Sequence, residues 1–162
     1  MHQYGRILKV YNSVVHVSVD GAEMLCKLRG KSMRGRDALL PGDVVRVACG
    51  TDGEGVIEGT EPRTSLLARP RVANLTQIVI TVAAASPDPH SLVVSRFLVL
   101  AEHSGIRNIV LCINKIDLID GDTAARLCTP YEAAGYSVLP VSAVEGTGIA
   151  ALRERLSGEI TV

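Results

Sequence analysis

The feature that most constrains the fold is an apolar run that ends in a short polar sequence. Residues 109–113, Ile-Val-Leu-Cys-Ile, contain no charged side chain, and Asn114-Lys115-Ile116-Asp117 follows at once. A continuous apolar run of this length is typical of a parallel strand buried on both faces. Open sheets of parallel strands bind ligands at the carboxyl ends of their strands. The sequence therefore predicts an α/β sheet that presents this tetrapeptide at its ligand-binding edge.

The chemistry of the tetrapeptide suits one edge of a guanine base. Guanine presents an imino N–H beside an exocyclic amino group, and the Asp117 carboxylate can accept from both, whereas adenine offers no such pair. The Asn114 amide can bridge the neighbouring loop backbone and the carbonyl side of the base, while the Lys115 stem covers the ring face. The sequence fits the N-K-x-D guanine-recognition pattern, with Ile116 at its variable position.

A second loop of the same kind follows the next predicted strand, residues 136–141. Residues 142–148 read Ser-Ala-Val-Glu-Gly-Thr-Gly and fit the S-A-x-x-G-x-G pattern that accompanies N-K-x-D. We expect the backbone N–H of Ala143 to donate to the guanine carbonyl and Ser142 to support the turn. N-K-x-D alone arises by chance in roughly one chain in fifty of this size. Two such loops after successive strands make chance a poor explanation.

The phosphate-binding sequence that a GTPase needs is missing from these 162 residues. That sequence, G-x-x-x-x-G-K-[S/T], cradles the phosphates with backbone amides and a lysine. Gly30-Lys31-Ser32 resembles its end, but Leu25 stands where the first glycine is required. In a conventional GTPase this loop precedes N-K-x-D, so the sequence predicts either a lost activity or a permuted order of motifs. We assign no catalytic residue.

Charge and composition limit the remaining possibilities. The 17 basic and 17 acidic residues cancel, so any contact with nucleic acid must come from a local patch. The first residues show no signal-peptide pattern, and the most apolar run, residues 78–85, is too short to cross a bilayer. We expect a cytoplasmic protein with no membrane contact. The cysteines and histidines lack metal-ligand spacing, so we expect free thiols and no metal site.

Residues 1–66 are predicted to form a small β domain. Five short runs rich in strand-forming residues are separated by turn sequences such as Asp20-Gly21. Five such strands favour a Greek-key barrel of the oligonucleotide-binding (OB) type, with an SH3-like barrel as the alternative. The predicted strands are Tyr4–Val10, Ser13–Val19, Ala22–Leu28, Val44–Ala48 and Gly55–Glu58.

A basic segment follows the third predicted strand. Its five cations, with no acid among them, are Lys27, Arg29, Lys31, Arg34 and Arg36. Glycines between these residues allow the backbone to follow an irregular phosphate surface, so the segment is a candidate RNA contact. A solvated basic loop is the alternative. In the linker that follows the barrel, Arg63, Arg69 and Arg71 either extend this patch or are solvated.

Residues 67–162 are predicted to form part of an α/β domain. Strands alternate with helices, which indicates right-handed β-α-β units and a parallel sheet. Asp88-Pro89 is expected to start the first helix, whose core side chains would be Val93, Phe97, Leu100 and Ala101. A second helix is expected over 123–134 and a third over 149–156. Residues 159–162 begin a fourth strand, and the incomplete sheet edge offers a surface for self-association.

Taken together, these features resemble the circularly permuted bacterial GTPases called ribosome small-subunit-dependent GTPase A. The resemblance covers essentially the whole chain: the barrel, the linker Arg69-Pro70-Arg71-Val72-Ala73-Asn74, the sequence from Ser95 to Glu102, and both guanine loops. In that family the guanine motifs precede the phosphate loop, which accounts for the order seen here. The fold class is therefore an α+β chain in two parts, an OB-type barrel followed by a partial GTPase-like parallel sheet.

The resemblance implies a role in late maturation of the small ribosomal subunit. It implies a barrel that binds rRNA, GTP or GDP held by the residues of the two loops, and hydrolysis stimulated by the subunit. Magnesium and zinc are implied by the family only, because their ligands would lie beyond the position of Val162. We therefore expect this chain alone not to hydrolyse GTP. Two alternatives stay open: an RNA-binding module with a relic nucleotide domain, and an enzyme of two chains.

Overall fold

The computed structural model describes residues 2–11, 14–28, 38–50 and 54–162. The chain divides into two compact units, Met1–Asn74 and Leu75–Val162. None of the helices in the described part of the chain is long and apolar enough to span a bilayer.

The first unit is built on a closed barrel of five strands. These are β1 (His2–Tyr11), β2 (Val14–Val19), β3 (Ala22–Leu28), β4 (Val44–Cys49) and β5 (Gly55–Thr60). They follow the order β1-β2-β3-β5-β4, in which β3 and β5 run parallel and the other neighbours run antiparallel. The predicted OB-type barrel is confirmed. Alternate side chains such as Val15, Val17 and Val19 point inward, so the described core consists of aliphatic side chains and Cys26.

A buried ion pair joins the segment after β5 to the loop before β4. Asp43 is 1% exposed and accepts two hydrogen bonds from Arg63, from Nε to Oδ1 at 2.7 Å and from Nη2 to Oδ2 at 2.8 Å. The same Nη2 donates to the Ala38 carbonyl at 2.8 Å, and the Leu40 N–H donates to Asp43 Oδ2 at 2.8 Å. Both expectations for Arg63 were therefore wrong. Its guanidinium neither extends a surface patch nor lies solvated, because it compensates a carboxylate removed from water.

A short hairpin, β6 (Leu66–Ala68) and β7 (Arg71–Ala73), completes this unit. Asn74, in the left-handed region at φ +56°, donates from Nδ2 to the Gly42 carbonyl at 3.0 Å and accepts the Thr64 N–H at 2.8 Å. Gly42 has φ +89°, and a Cβ there would lie 1.9 Å from the Ala73 carbonyl oxygen. The hairpin and the loop before β4 are therefore held by backbone contact that only glycine permits.

The second unit contains a three-stranded parallel sheet flanked by helices. Its strands are β8 (Gln77–Ala83), β9 (Asn108–Asn114) and β10 (Ser137–Pro140), in the order β10-β9-β8. The helices are α1 (Ser91–His103), α2 (Gly121–Ala133) and α3 (Ile149–Leu156), with a 3-10 turn at Ile116–Leu118. Thr161 forms a parallel bridge to Gln77, so the predicted fourth strand begins beside β8. The predicted partial parallel sheet is confirmed.

The first helix differs from its prediction in its start and in its buried face. Its first turn begins at His90, whose carbonyl accepts the N–H groups of residues 93 and 94, rather than at an Asp88 cap. The buried side chains are Val94, Leu98 and Ala101. By contrast, Phe97 is 52% exposed, and its stripe neighbours Val93 and Leu100 are 45% and 60% exposed. The helix carries two adjacent apolar stripes, and the sheet covers only one of them.

The second helix begins at a side-chain cap. Asp120 accepts the Thr123 N–H at 2.8 Å and the Thr123 hydroxyl at 2.8 Å. These hydrogen bonds favour the carboxylate and lower the pKa of Asp120. The helix therefore starts at Gly121, two residues before the predicted position.

Candidate guanine-recognition site

The two predicted loops start side by side because β9 and β10 are parallel neighbours. Pro140 pairs with Ile113 in the register of the sheet. Pairing continues past the strand ends, since the Val141 N–H donates to the Ile113 carbonyl at 2.8 Å and the Ile116 N–H donates to the Val141 carbonyl at 3.2 Å. Residues 114–117 and 142–148 therefore leave the sheet at the same edge, as the sequence pattern predicts.

Asn114 joins the loops through its side-chain oxygen. Its Oδ1 accepts the Lys115 N–H at 2.8 Å and the Ala143 N–H at 3.1 Å. The second bond has an ordinary length. Ala143 is exposed, so its N–H can also face an acceptor on a base. Because Oδ1 is the accepting atom, the amide Nδ2 is the atom left to donate to the acceptors of guanine, O6 or N7.

Ser142 orients Asp117. The Ser142 side chain is fully buried, and its hydroxyl donates to Asp117 Oδ1 at 2.6 Å while accepting the Glu145 N–H at 3.1 Å. Asp117 itself is exposed, and no described residue donates to its Oδ2. A carboxylate held at one oxygen and open at the other is suited to accept the paired N–H groups of guanine.

Lys115 is held at both ends. Its backbone is in the left-handed region at φ +65°, which is uncommon for a residue with a side chain, and its Nζ donates to the Ser86 carbonyl at 2.5 Å. Ser86 lies in the loop after β8 and also has a positive φ, +49°. The lysine stem therefore extends from the β9 loop to the β8 loop. Sequence reasoning missed Ser86, whose only signal was its place after the neighbouring parallel strand.

Glycine is required at the end of the second loop. Gly148 has φ +74°, and a Cβ there would lie 2.4 Å from the Pro140 carbonyl oxygen. Gly146 also has a positive φ, +80°, but faces open space. The loop is closed by the Ser142 N–H, which donates to the Thr147 carbonyl at 2.9 Å. The last glycine of the pattern thus lets the loop pack on the end of β10.

Of the five cations of the predicted basic segment, Lys27 lies within the described residues. Lys27 lies on β3 and pairs with Glu54 at 2.5 Å. The other predicted contacts, Arg29, Lys31, Arg34 and Arg36, lie outside the described residues.

A metal site in a protein requires several ligand side chains close together. Among the described residues, no group of three or more His, Cys, Asp or Glu side chains is placed to hold a metal ion. All four cysteines are free, and burial raises the pKa of the Cys26, Cys112 and Cys128 thiols.

The chain is similar in sequence to one family of known proteins. The sequence model of the RsgA GTPase family matches residues 60–162. The small ribosomal subunit biogenesis GTPase RsgA of Ruminiclostridium cellulolyticum is 41% identical, over 99% of this chain and 53% of that protein. The protein of the same name from Clostridium botulinum is 37% identical, over 98% of this chain and 54% of that protein.

Two crystal structures are similar over nearly the whole chain. YjeQ from Thermotoga maritima aligns with a TM-score of 0.88 and 33% identity, over 99% of this chain and 59% of that one. YloQ, described as a circularly permuted GTPase, aligns with a TM-score of 0.84 and 28% identity, over 99% and 58%. The chain spans about half the length of the curated relatives it matches. On the family match and the shared fold, this chain belongs to the RsgA GTPase family.

Proposed function

We propose that this chain provides the guanine-recognition half and the RNA-docking barrel of a GTPase that acts in biogenesis of the small ribosomal subunit. The observation that carries the proposal is the double link between the loops. Asn114 accepts the Ala143 N–H, and Ser142 donates to Asp117. Two motifs that share no sequence are thereby built into one site at the carboxyl edge of a parallel sheet.

Each side chain of the site has a role in binding the base. The Asp117 carboxylate accepts the imino and amino N–H groups of guanine, and Ser142 holds that carboxylate in place. The Asn114 amide nitrogen and the Ala143 N–H donate to the opposite, acceptor side of the base. Lys115, anchored on the Ser86 carbonyl, lays its stem along the ring face, and Ile116 follows it as the first residue of the 3-10 turn. An adenine in this site would offer the Asp117 carboxylate no pair of N–H donors from the base.

Hydrolysis requires parts that this sequence does not contain. Phosphate and magnesium contacts supply most of the affinity for a nucleotide and the stabilisation of the transition state. No G-x-x-x-x-G-K-[S/T] sequence occurs in the 162 residues. We therefore expect the chain alone to bind GTP or GDP weakly, through the base, and not to turn GTP over.

The barrel is proposed to dock on small-subunit rRNA. We assign RNA binding to residues 1–66, with Lys27, Arg29, Lys31, Arg34 and Arg36 as candidate phosphate contacts, and guanine binding to residues 67–162. The OB-type barrel supports this assignment because such barrels bind oligonucleotides. A subunit substrate is in keeping with the expected cytoplasmic location. The incomplete sheet edge remains a candidate surface for self-association.

The deciding experiment combines binding and turnover. GTP binding, GTP hydrolysis and sedimentation with purified small ribosomal subunits are measured for the 162-residue chain, with ATP as the control nucleotide. Subunit binding and guanine-selective binding without turnover is the expected result. Subunit binding with no selectivity for guanine over adenine would favour the RNA-binding module with a relic nucleotide domain. Robust turnover by the chain alone would contradict the proposal.

A further inference from the structure

The outer face of β1 combines aromatic rings with cations on a single strand. Gly5 and Ile7 point into the barrel, so Tyr4 and Arg6 point outward. The pairing of β1 with β2 shifts register after Ile7, as a β-bulge does, and outward alternation resumes at Lys9 and Tyr11. The β1 stripe is the set of outward side chains Tyr4, Arg6, Leu8, Lys9 and Tyr11. Tyr4 is 58% exposed and Tyr11 is 65% exposed.

The stripe carries two cations, Arg6 and Lys9, of which Arg6 donates to the Gly42 carbonyl at 2.8 Å. No Asp or Glu occurs in β1, and Arg46 on β4 lies directly opposite Tyr4. Lys9 Nζ lies 5.9 Å from the centre of the Tyr11 ring. Among the residues that the structure describes, neither Lys9 nor Arg46 has a carboxylate oxygen within ion-pair distance. This differs from Lys27, which Glu54 neutralises.

Two carboxylates on other strands of the barrel contact histidines. Glu58 on β5 contacts His2 at 3.1 Å, and Glu23 on β3 contacts His16. The Arg46 guanidinium lies close to β5, since a Cβ built at Gly59 would be 3.2 Å from its Nη2. An aromatic ring and an ammonium therefore lie next to each other at the Tyr11 end of the stripe. At the other end Arg46 is the register partner of Tyr4 on the neighbouring strand.

We propose that the β1 stripe, together with Arg46 on the neighbouring strand β4, binds an unpaired stretch of RNA, with bases stacked on Tyr4 and Tyr11 and phosphates held by Arg46 and Lys9. Exposed rings beside uncommitted cations are the chemistry of single-strand binding, because every unpaired base offers a face for stacking and every linkage a charge. In a duplex the base faces are stacked on one another, so a duplex would gain only the attraction between its phosphates and the cations. The two rings are about 20 Å apart along the strand, enough for more than one nucleotide.

This inference rests on the proposed RNA-binding function but names a surface other than the basic segment 27–36. Stacking and phosphate contact are distinguishable, because only phosphate contact releases counterions and depends steeply on salt. A tyrosine truncation should therefore lower affinity at every salt concentration by a similar factor. A cation truncation should instead flatten the salt dependence.

The test measures binding of fluorescein-labelled oligouridine and oligoadenosine, and of a matched RNA duplex, to the full chain over a salt series. Tyr4→Ala and Tyr11→Ala are each expected to weaken single-strand binding by roughly 5- to 150-fold, with Tyr4→Phe and Tyr11→Phe close to the parent. Lys9→Ala and Arg46→Ala should each lower the slope of log K against log salt by about 0.7. Phe97→Ala, which truncates an exposed ring of the other unit, is the matched control and should change nothing.

Other outcomes separate this inference from the function on which it rests. Unchanged single-strand affinity in folded Tyr4→Ala and Tyr11→Ala proteins, while subunit binding persists, would overturn the stripe and leave the RNA-docking function standing. Equal affinity for the duplex and the single strand would also overturn the stacking role. If the parent chain binds neither the small subunit nor RNA, both the stripe and the RNA-docking function are overturned.

Discussion

The Ser142 hydroxyl donates to Asp117 Oδ1 across 2.6 Å, although the two residues are 25 positions apart in the chain. One of them is fully buried and the other exposed. The bond fixes the Asp117 carboxylate, on the first loop, to a buried residue of the second loop. In the proposed guanine site, base selectivity would therefore depend on both loops and not on N-K-x-D alone.

Replacing Asp117 by asparagine should change the preferred base. An amide presents a donor where the carboxylate presented only acceptors, and xanthine carries a carbonyl where guanine carries its amino group. Asp117→Asn should therefore weaken guanosine nucleotide binding and favour xanthosine nucleotides. Saturation-transfer NMR with GDP and XDP suits the weak affinity expected of this chain. Asp122→Asn, a change of the same kind in the first turn of α2, serves as the control, and unchanged GDP preference in Asp117→Asn would refute the assigned role.

Replacing Ser142 by alanine should weaken guanine binding without touching the base directly. The change removes a hydrogen bond to a charged group, and such bonds contribute about 1.5–3 kcal/mol, which corresponds to roughly ten- to hundredfold in affinity. The same NMR titration measures the effect, with Ser95→Ala on the exposed side of α1 as the control. Affinity equal to that of the parent, in a protein whose amide spectrum shows the loops intact, would mean that Asp117 needs no support.

The elements of the site could be predicted because local sequence determines them. An uninterrupted apolar run can only be a buried strand or helix, and parallel neighbours must bring residues 114 and 142 to one edge. The strand bounds of the barrel follow from alternation and turn residues in the same way. These features depend on residues that are close together in the sequence, so they can be predicted from a sequence pattern.

Features that depend on distant neighbours could not be predicted. Val93, Phe97 and Leu100 form as regular an apolar stripe as Val94, Leu98 and Ala101, and only the position of the sheet decides which is buried. The contact between Lys115 and Ser86 joins residues 29 positions apart through a backbone carbonyl, which leaves no trace in side-chain chemistry.

Truncating Arg63 should destabilise the barrel unit strongly. The change leaves the negative charge of Asp43 buried without a compensating positive charge. Breaking a buried ion pair in this way lowers the free energy of unfolding by about 3–5 kcal/mol. Arg63→Lys should recover part of the loss, because an ammonium restores the charge but not the two-point contact. Urea unfolding followed by circular dichroism measures the change. Arg71→Ala on the exposed hairpin should stay within about 0.5 kcal/mol of the parent, and an equally small effect for Arg63→Ala would show that Asp43 does not need its partner.

Substituting the two glycines of the second loop should separate backbone strain from crowding. Gly146→Ala forces a side chain into the left-handed region in open space, which costs about 1–2 kcal/mol. Gly148→Ala carries the same strain and adds a clash, because its Cβ would lie 2.4 Å from the Pro140 carbonyl oxygen. We therefore expect Gly148→Ala to lower the unfolding free energy of the α/β unit by more than Gly146→Ala does, and to weaken guanine binding as Ser142 and Ala143 are displaced. Urea unfolding and the NMR titration measure the two effects, and equal losses for both variants would show that the loop can move away from β10 without cost.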